Sequence, residues 1–342
     1  MKPRVAFLTI GGPRIGLGHV KRCLALARAL AAEGAETDFV VSPDAQVSRI
    51  VEQAGFRVIE RPWERAPEIA GAAARELAAD IVIVDAYVAT TEHFEALKPL
   101  TGCLVVVDDT AERRLPVDVV VNVGAGTEHL SYRVLPETTL LLGTRYTLLD
   151  PAYAEAPRRP SRARVERVLV TLGGSVHPEA LAAMVTAVDA VLAGAVLDVV
   201  VGPFGATSGV NGHARSGRNR VVVHGHLPEL RPLMREADLA VSGAGVTLYE
   251  LAATATPTVM VQTEPFQAAN VAAFERAGVA IFAGPAAAPD TAGRVRDTVA
   301  ALSKDAVRRA ALGAAGRRLV DGDGARRVAR ELISMPVRGG KR

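Results

Sequence analysis

Cysteine and aromatic residues are scarce in this chain. Among its 342 residues there are two cysteines, Cys23 and Cys103, and aromatic side chains make up 4%. Each cysteine lies in an apolar run, which favours buried thiols in a reducing compartment over a disulfide or a metal pair. The shortage of aromatic residues predicts a core built from valine, leucine, isoleucine and alanine.

Long apolar segments are missing as well. No uncharged apolar stretch reaches the roughly 18 residues that a membrane-spanning helix needs. Only six mainly apolar residues follow the charged Lys2 and Arg4, which is too short for the core of a signal peptide. The sequence therefore predicts a cytoplasmic protein without stable insertion into a membrane.

The chain has little net charge, and its basic excess is concentrated near the C-terminus. The formal net charge is +3. Arginines recur there at helical spacing among alanines, without aromatic neighbours: Arg317, Arg318, Arg326, Arg327 and Arg330. This pattern indicates a solvated helix face rather than a nucleic-acid site, so no nucleic-acid partner is expected.

Short apolar runs alternate with helical patterns along the whole chain, which predicts an α/β protein with parallel sheets. We predict two doubly wound, Rossmann-like domains, 1–149 and 165–335, the second including the C-terminal helices. A proline-rich linker over 150–164 separates them, and 336–342 forms a basic tail. Two such domains imply a cleft between their strand ends, in which a substrate would bind.

The glycine-rich turn at the start of the chain is its most informative motif. It connects an apolar strand to a helix and contains Gly16, Gly18 and His19. Such a turn lets backbone N–H groups approach an anion, and the imidazole is a candidate proton-transfer group. The competing interpretation, a surface or capping histidine, is weakened because ligands of open α/β sheets bind at the carboxyl ends of strands.

Similar turns recur in the second half. Gly173, Gly174 and Ser175 follow the first strand there, either as phosphate or sugar contacts or as an ordinary capped turn. Further on, the predicted nucleotide-binding residues at the start of a helix are Gly243, Gly245, Val246, Thr247 and Glu250. Glu250 would accept hydrogen bonds from ribose hydroxyls, or else serve as a capping-box glutamate. Gln267 and Asn270 would lie on the sugar side, although Gln267 also fits the first turn of the next helix.

The order of these motifs resembles the UDP-2,4-diacetamido-2,4,6-trideoxy-beta-L-altropyranose hydrolase family of pseudaminic acid biosynthesis (PseG-like), within the GT-B glycosyltransferase superfamily. The family pattern I-G-x-G-H-V-x-R-C-L-x-L-A is matched from Ile15 to Ala27. Further matching segments are Val84-Asp85-Ala86-Tyr87, Val107-Asp108-Asp109, Tyr146-Thr147-Leu148-Leu149, Leu172 to Ser175 and Gly243 to Glu250.

This resemblance implies a GT-B fold that binds a nucleotide-diphosphate sugar, with UDP as the expected nucleotide and no metal or other cofactor. Water would attack the anomeric carbon with His19 as general base. Tyr87 would position sugar and water, and Asp109 would orient His19 or the water, or merely cap a helix.

The chain also departs from the family pattern. The usual G-G-[ST]-D reads Gly173-Gly174-Ser175-Val176, and the N-Q pair reads Phe266-Gln267. Several polar side chains with which the family pattern would recognise a polar sugar are therefore absent from this sequence. The alternative hypothesis is an inverting GT-B glycosyltransferase with an unknown acceptor. A third hypothesis is a non-catalytic nucleotide-sugar sensor.

Overall fold

The apolar runs rich in valine form two parallel sheets, each in a compact unit of its own. The computed structural model describes residues 2–13, 15–155, 162–173, 178–202, 218–225, 227 and 229–335. The first unit combines residues up to 151 with the segment from 322, and the second unit is Ala152–Asp321. The predicted α/β class with parallel sheets is confirmed.

The first unit is built on a seven-stranded parallel sheet in the order β3-β2-β1-β4-β5-β7-β9. Its order reverses direction at β1, so β1 and β4 flank the point where ligands bind in open α/β sheets. The strands of this unit, including the short pair β6 and β8, are β1 (Arg4–Thr9), β2 (Glu36–Val41), β3 (Arg57–Glu60), β4 (Ile81–Asp85), β5 (Cys103–Val107), β6 (Arg114–Leu115), β7 (Val119–Asn122), β8 (Arg133–Val134) and β9 (Thr139–Leu142).

Helices connect these strands, and local sequence sets where several of them begin. Asp44 caps one helix by accepting from the amides of Gln46 and Val47, both at 3.0 Å. Proline occupies the first position of the next, where its missing N–H costs nothing. The helices are α1 (Gly18–Ala32), α2 (Ala45–Gln53), α3 (Pro67–Leu77) and α4 (Thr91–Leu97).

The second unit repeats this architecture with a six-stranded parallel sheet in the order β12-β11-β10-β13-β14-β15. Here the reversal falls between β10 and β13. Its strands are β10 (Arg167–Thr171), β11 (Val196–Val200), β12 (Arg220–His224), β13 (Leu239–Gly243), β14 (Thr258–Gln262) and β15 (Ala280–Pro285). Its helices are α5 (Pro178–Asp189), α6 (Arg231–Glu236), α7 (Val246–Ala253), α8 (Ala268–Arg276), α9 (Thr291–Lys304) and α10 (Ala306–Leu319).

The last helix, α11 (Gly324–Ser334), belongs to the first unit. A Cβ on Gly324 would lie 2.4 Å from the carbonyl oxygen of Thr147, and Arg330 pairs with Glu33 at 3.2 Å. The predicted boundary of the second domain at 335 is therefore wrong, because the chain returns to the first unit for its final helix.

Two arginines of α10 attach part of the predicted 150–164 linker to the second unit. Arg309 is fully buried and donates to the carbonyls of Arg162 and Ala163. Arg317 donates to the carbonyls of Tyr153 and Ala154. Arg317 is thus not part of a solvated helix face, because its guanidinium satisfies backbone carbonyls.

The described residues contain no helix that is both long enough and apolar enough to cross a membrane. Cys23 and Cys103 are both free and buried, as predicted.

Candidate active site

The glycine-rich turn brings His19 to the carboxyl edge of the first sheet. The backbones of Gly12 and Gly16 pair across the turn, with the Gly16 amide 2.7 Å from the Gly12 carbonyl oxygen. Gly16 has a φ of +81°, a conformation that side chains with a Cβ rarely adopt. Gly18 is then the first residue of α1, and no side chain caps that helix. His19 therefore lies in the first turn of α1, near the positive end of the helix dipole.

A buried carboxylate at the end of β4 orients the His19 ring. Nδ1 of His19 lies 2.6 Å from Oδ1 of Asp85, which is completely buried. Burial raises the pKa of the Asp85 carboxyl, but the positive charge of Arg22 and the contacts with His19 outweigh it and leave that pKa well below its ordinary value. Asp85 is therefore ionised and can only accept a hydrogen bond. A neutral imidazole that donates to this carboxylate carries its proton on Nδ1, which leaves Nε2 as the nitrogen that can accept another.

Arg22 lies one helical turn after His19 and joins two strand-end carboxylates. Its Nε donates to Asp85 Oδ2 at 2.5 Å and its Nη2 to Asp85 Oδ1 at 2.6 Å. Its Nη1 donates to both carboxylate oxygens of Asp109, each at 2.9 Å. Burial by itself would lower the pKa of Arg22, but the negative charges of Asp109 and Asp85 outweigh this effect and raise the pKa above its ordinary value. The guanidinium is therefore held in its charged form.

Asp109 was predicted to orient His19 or the water, or to cap a helix, and the structure adds a further contact for it. Asp109 pairs with Arg22, and the carboxylate in contact with the ring is Asp85. Sequence reasoning missed both Asp85 and Arg22 as site residues. Two signals were present: Asp85 opens the D-x-Y segment, and Arg22 stands one turn after His19 on a helix.

Tyr87 lies where the sequence placed it, in the loop that follows β4. Its ring centroid is 5.7 Å from that of His19, with the planes tilted by 44°. Tyr87 is 59% exposed at this edge of the sheet. The carboxyl ends of β1, β4 and β5 thus bring His19, Tyr87 and Asp109 into one cluster.

In the second unit, two glycine turns lie side by side at the carboxyl edge of the sheet. Thr171 of β10 is in register with Ser242 of β13, so the residues that follow each strand are neighbours. A Cβ on Gly243 would lie 2.4 Å from the carbonyl oxygen of Leu172, so this position requires glycine for close approach of two backbones. Gly173, two residues after the end of β10, has a φ of +112°. Gly174 and Ser175 lie outside the described residues.

The start of α7 presents backbone amides without a capping side chain. Gly245 is the residue before the helix, and within the described part of the chain no side chain caps this end. Val246 is 37% exposed and Thr247 is half-buried. The amides of a first turn have no partner within the helix, so this end is suited to an anion.

Glu250 does not cap α7. The helix begins at Val246, so Glu250 is its fifth residue, whereas a capping box requires the third. Glu250 instead shares a hydrogen bond with the hydroxyl of Tyr153, which is buried. Burial, together with the charge of Glu250 and this hydrogen bond, raises the pKa of Tyr153 well above its ordinary value.

Gln267 holds the loop after β14 in place, and Asn270 holds the loop after β13. Gln267 is buried, accepts from the amide of Thr263 at 2.9 Å and donates to the hydroxyl of Thr263 at 3.0 Å. Asn270 accepts from the Tyr249 hydroxyl at 2.7 Å and donates to the Ala244 carbonyl at 3.1 Å. Both amides therefore shape the edge on which the predicted sugar side lies.

No group of three or more His, Cys, Asp or Glu side chains suited to a metal ion occurs among the described residues. Of the two closely spaced histidines His224 and His226, His224 contacts Asp198, with Nε2 2.8 Å from Oδ1. His226 lies outside the described residues.

Comparison with known proteins connects the second unit to a glycosyltransferase family. Residues 168–305 match the C-terminal domain of glycosyltransferase family 28. An uncharacterized protein of Methanocaldococcus jannaschii is 22% identical over 276 residues, which cover 77% of this chain and 56% of that protein. The chain spans about half the length of this curated relative.

Solved structures show which fold the chain adopts. MurG of Acinetobacter baumannii superposes with a TM-score of 0.70 at 16% identity, covering 97% of this chain and all of that one. The calicheamicin glycosyltransferase CalG4 gives a TM-score of 0.63 at 17% identity over 98% of both chains. A Listeria monocytogenes protein described as a UDP-N-acetylglucosamine 2-epimerase gives 0.65 at 12% identity, with 98% and 96% coverage. The predicted GT-B fold is confirmed, and together with the family match it supports an enzyme.

Proposed function

We propose that this chain is a nucleotide-sugar hydrolase of the PseG-like kind, which releases UDP or another nucleoside diphosphate from an activated sugar. The observation that carries the proposal is the pairing of His19 with the ionised, buried Asp85. An aspartate that fixes the tautomer of a histidine leaves Nε2 as a directed base, an arrangement suited to deprotonating a weak nucleophile such as water.

In the proposed reaction, a water oxygen attacks the anomeric carbon while Nε2 of His19 accepts one water proton. The bond between the anomeric carbon and the diphosphate oxygen breaks, and the nucleoside diphosphate leaves with the electron pair. The sugar is released as a free hemiacetal of inverted configuration. Asp85 stabilises the imidazolium formed, and Tyr87 positions the sugar and the water.

The leaving diphosphate is assigned to the glycine turns of the second unit. The amides at the start of α7 and the Thr247 hydroxyl would hold the phosphates, with Gly173, Gly174 and Ser175 on the neighbouring turn. Glu250 would bind the ribose, and Gln267 and Asn270 would shape the sugar side. UDP is the first nucleotide to test, since one structural relative is described as acting on UDP-N-acetylglucosamine.

An inverting glycosyltransferase is the second candidate, and the match of residues 168–305 to a glycosyltransferase domain favours it. The same base would then deprotonate a hydroxyl of an acceptor.

For either function we propose a cytoplasmic location, because two free, buried thiols suit a reducing compartment.

The deciding experiment measures nucleotide release from UDP-N-acetylglucosamine, CDP-glucose and GDP-mannose, first without an acceptor. Release in water alone, with heavy oxygen from labelled water appearing in the sugar and not in the nucleotide, supports hydrolysis at the anomeric carbon. Release that requires an added acceptor supports transfer. Binding without turnover would overturn both.

His19→Ala tests the base directly, with Lys21→Ala as the matched control on the exposed side of the same helix. We expect the His19 variant to lose about a hundredfold or more in kcat. The control should retain its rate. Equal rates in the two variants would exclude His19 as the base.

A further inference from the structure

One arginine in a neighbouring loop holds the backbone of the loop that carries Tyr87. Arg113 follows β5, and its Nη1 donates to the backbone carbonyls of Ala86 at 3.3 Å, Tyr87 at 3.1 Å and Ala89. One guanidinium nitrogen thus reaches three of the carbonyls between β4 and α4. Neither the sequence motifs nor the proposed mechanism gives Arg113 a role.

Arg113 is itself held in place by a buried carboxylate and by an aromatic ring. Its Nη2 donates to Oδ2 of Asp108 at 2.6 Å, and Asp108 is buried. The other oxygen of Asp108 accepts from the amides of Thr110 at 3.1 Å and Ala111 at 2.7 Å. The guanidinium also lies over the buried ring of Phe94, 5.7 Å from its centroid. Because both carboxylate oxygens are used, Asp108 has little freedom to move, and neither has Arg113.

The two ends of this loop, Ala86 and Ala89, are buried in the core of the first unit, whereas Tyr87 between them is exposed. Within it, the Ala89 amide donates to the Ala86 carbonyl at 3.3 Å, and the Thr90 amide donates to Nδ1 of His93 at 3.2 Å. The exposed Tyr87 ring contacts His19 but is otherwise directed to solvent. Its position therefore depends on the backbone from which it projects.

We propose that Arg113 is a positioning residue, anchored on Asp108, which holds the 86–89 backbone so that Tyr87 stays against the His19 ring. This inference rests on the proposed function for the role of Tyr87, but its structural part can be tested without substrate. A lysine would keep the charge near Asp108, yet one ammonium group cannot bond the carboxylate and three carbonyls together.

The first test is hydrogen exchange on the unliganded protein. Arg113→Gln is compared with Arg114→Gln, a change at the adjacent exposed arginine, which pairs with the exposed Glu95 at 2.9 Å. We expect the amides of Ala89 and Thr90 to exchange about tenfold faster in the Arg113 variant and unchanged in the control. Unchanged exchange in Arg113→Gln, or equal acceleration in both variants, would overturn the proposal. If Arg113→Gln does not fold, Arg113→Lys is measured in its place.

The second test is a double-mutant cycle with whichever sugar nucleotide of the panel is turned over. Arg113→Lys should lower kcat/KM roughly 10- to 100-fold in the native background. In a Tyr87→Ala background it should cost less than about twofold, because the residue it positions is gone. The same cost in both backgrounds would show that Arg113 does not act through Tyr87. If no sugar nucleotide is turned over, the hydrolase proposal fails, whereas hydrogen exchange still decides the role of Arg113.

Discussion

His19 and Asp85 lie 66 positions apart in the chain, yet Nδ1 of one and Oδ1 of the other are 2.6 Å apart. The contact exists because β1 and β4 are neighbours in the sheet, so the residues after each strand meet at one edge. Asp85 accepts from both His19 and Arg22, and Arg22 in turn reaches Asp109. Much of the chemistry we propose depends on this chain of contacts.

Replacing Asp85 with asparagine should impair both catalysis and stability. The amide no longer fixes the His19 tautomer and leaves the buried Arg22 with one carboxylate instead of two. We expect kcat to fall about a thousandfold or more and the free energy of unfolding by about 3 kcal/mol. Urea denaturation and single-turnover kinetics measure the two effects.

Asp109→Asn is the matched control for that change, since it removes the other partner of Arg22. Its side chain is about half exposed, so solvent screens the ion pair. We expect a loss of less than about 1 kcal/mol and a smaller effect on rate. Equal losses in the two variants would contradict the separate roles assigned here to Asp85 and Asp109.

Acid should destabilise the first unit through Asp85. The folded state holds the pKa of this carboxyl below its ordinary value, so the folded protein binds its proton less readily than the unfolded chain does. The stabilisation is present above the unfolded pKa of about 4 and is lost progressively as the pH falls below it. The urea concentration at the midpoint of unfolding should therefore decrease as the pH is lowered from neutral to acidic values. The decrease per pH unit should be smaller in Asp85→Asn. An identical slope in that variant would show that other carboxyl groups cause the decline.

Gly243→Ala should destabilise the second unit. The added methyl group would lie 2.4 Å from the Leu172 carbonyl oxygen, and backbone on both sides must shift to admit it. We expect a loss of roughly 1–3 kcal/mol in thermal or urea unfolding. Gly245→Ala is the control, because its Cβ would meet Gln267 Nε2 at an ordinary 3.6 Å. That variant should stay within about 0.5 kcal/mol of the native protein.

Glu250→Gln should bind UDP roughly tenfold more weakly than the unmodified protein does, as expected for one lost hydrogen bond to a charged group. Isothermal titration calorimetry with UDP measures this directly. Tyr153→Phe separates ribose binding from the internal hydrogen bond, since it removes the hydroxyl that Glu250 contacts. It should alter stability by about 1 kcal/mol and change UDP affinity little. If the tyrosine variant weakens UDP as much as the glutamate variant, Glu250 acts through its contact with Tyr153.

The strand and helix pattern was predictable because its signals are local. The alternation of apolar runs with helical patterns predicted parallel sheets, and the structure contains two of them. The turn that carries Gly16 and His19 was equally clear, since its glycines and the adjoining strand and helix are contiguous. Roles that depend on distant partners were not predictable in the same way. Asp109 was predicted to orient His19 or the water, or to cap a helix, and the contact of His19 with Asp85 was not predicted.

The sequence by itself determined two α/β halves and placed His19 at the first turn of a helix after a buried strand. Hydrophobic periodicity and glycine placement act over a few residues and can be read without knowing the fold. Only the tertiary structure decided that Asp85 contacts His19, that α11 packs on the first unit, and that Arg309 and Arg317 hold backbone carbonyls. Those outcomes follow from strand order and from the burial of polar groups that must find partners, and both are settled by residues far apart in the chain.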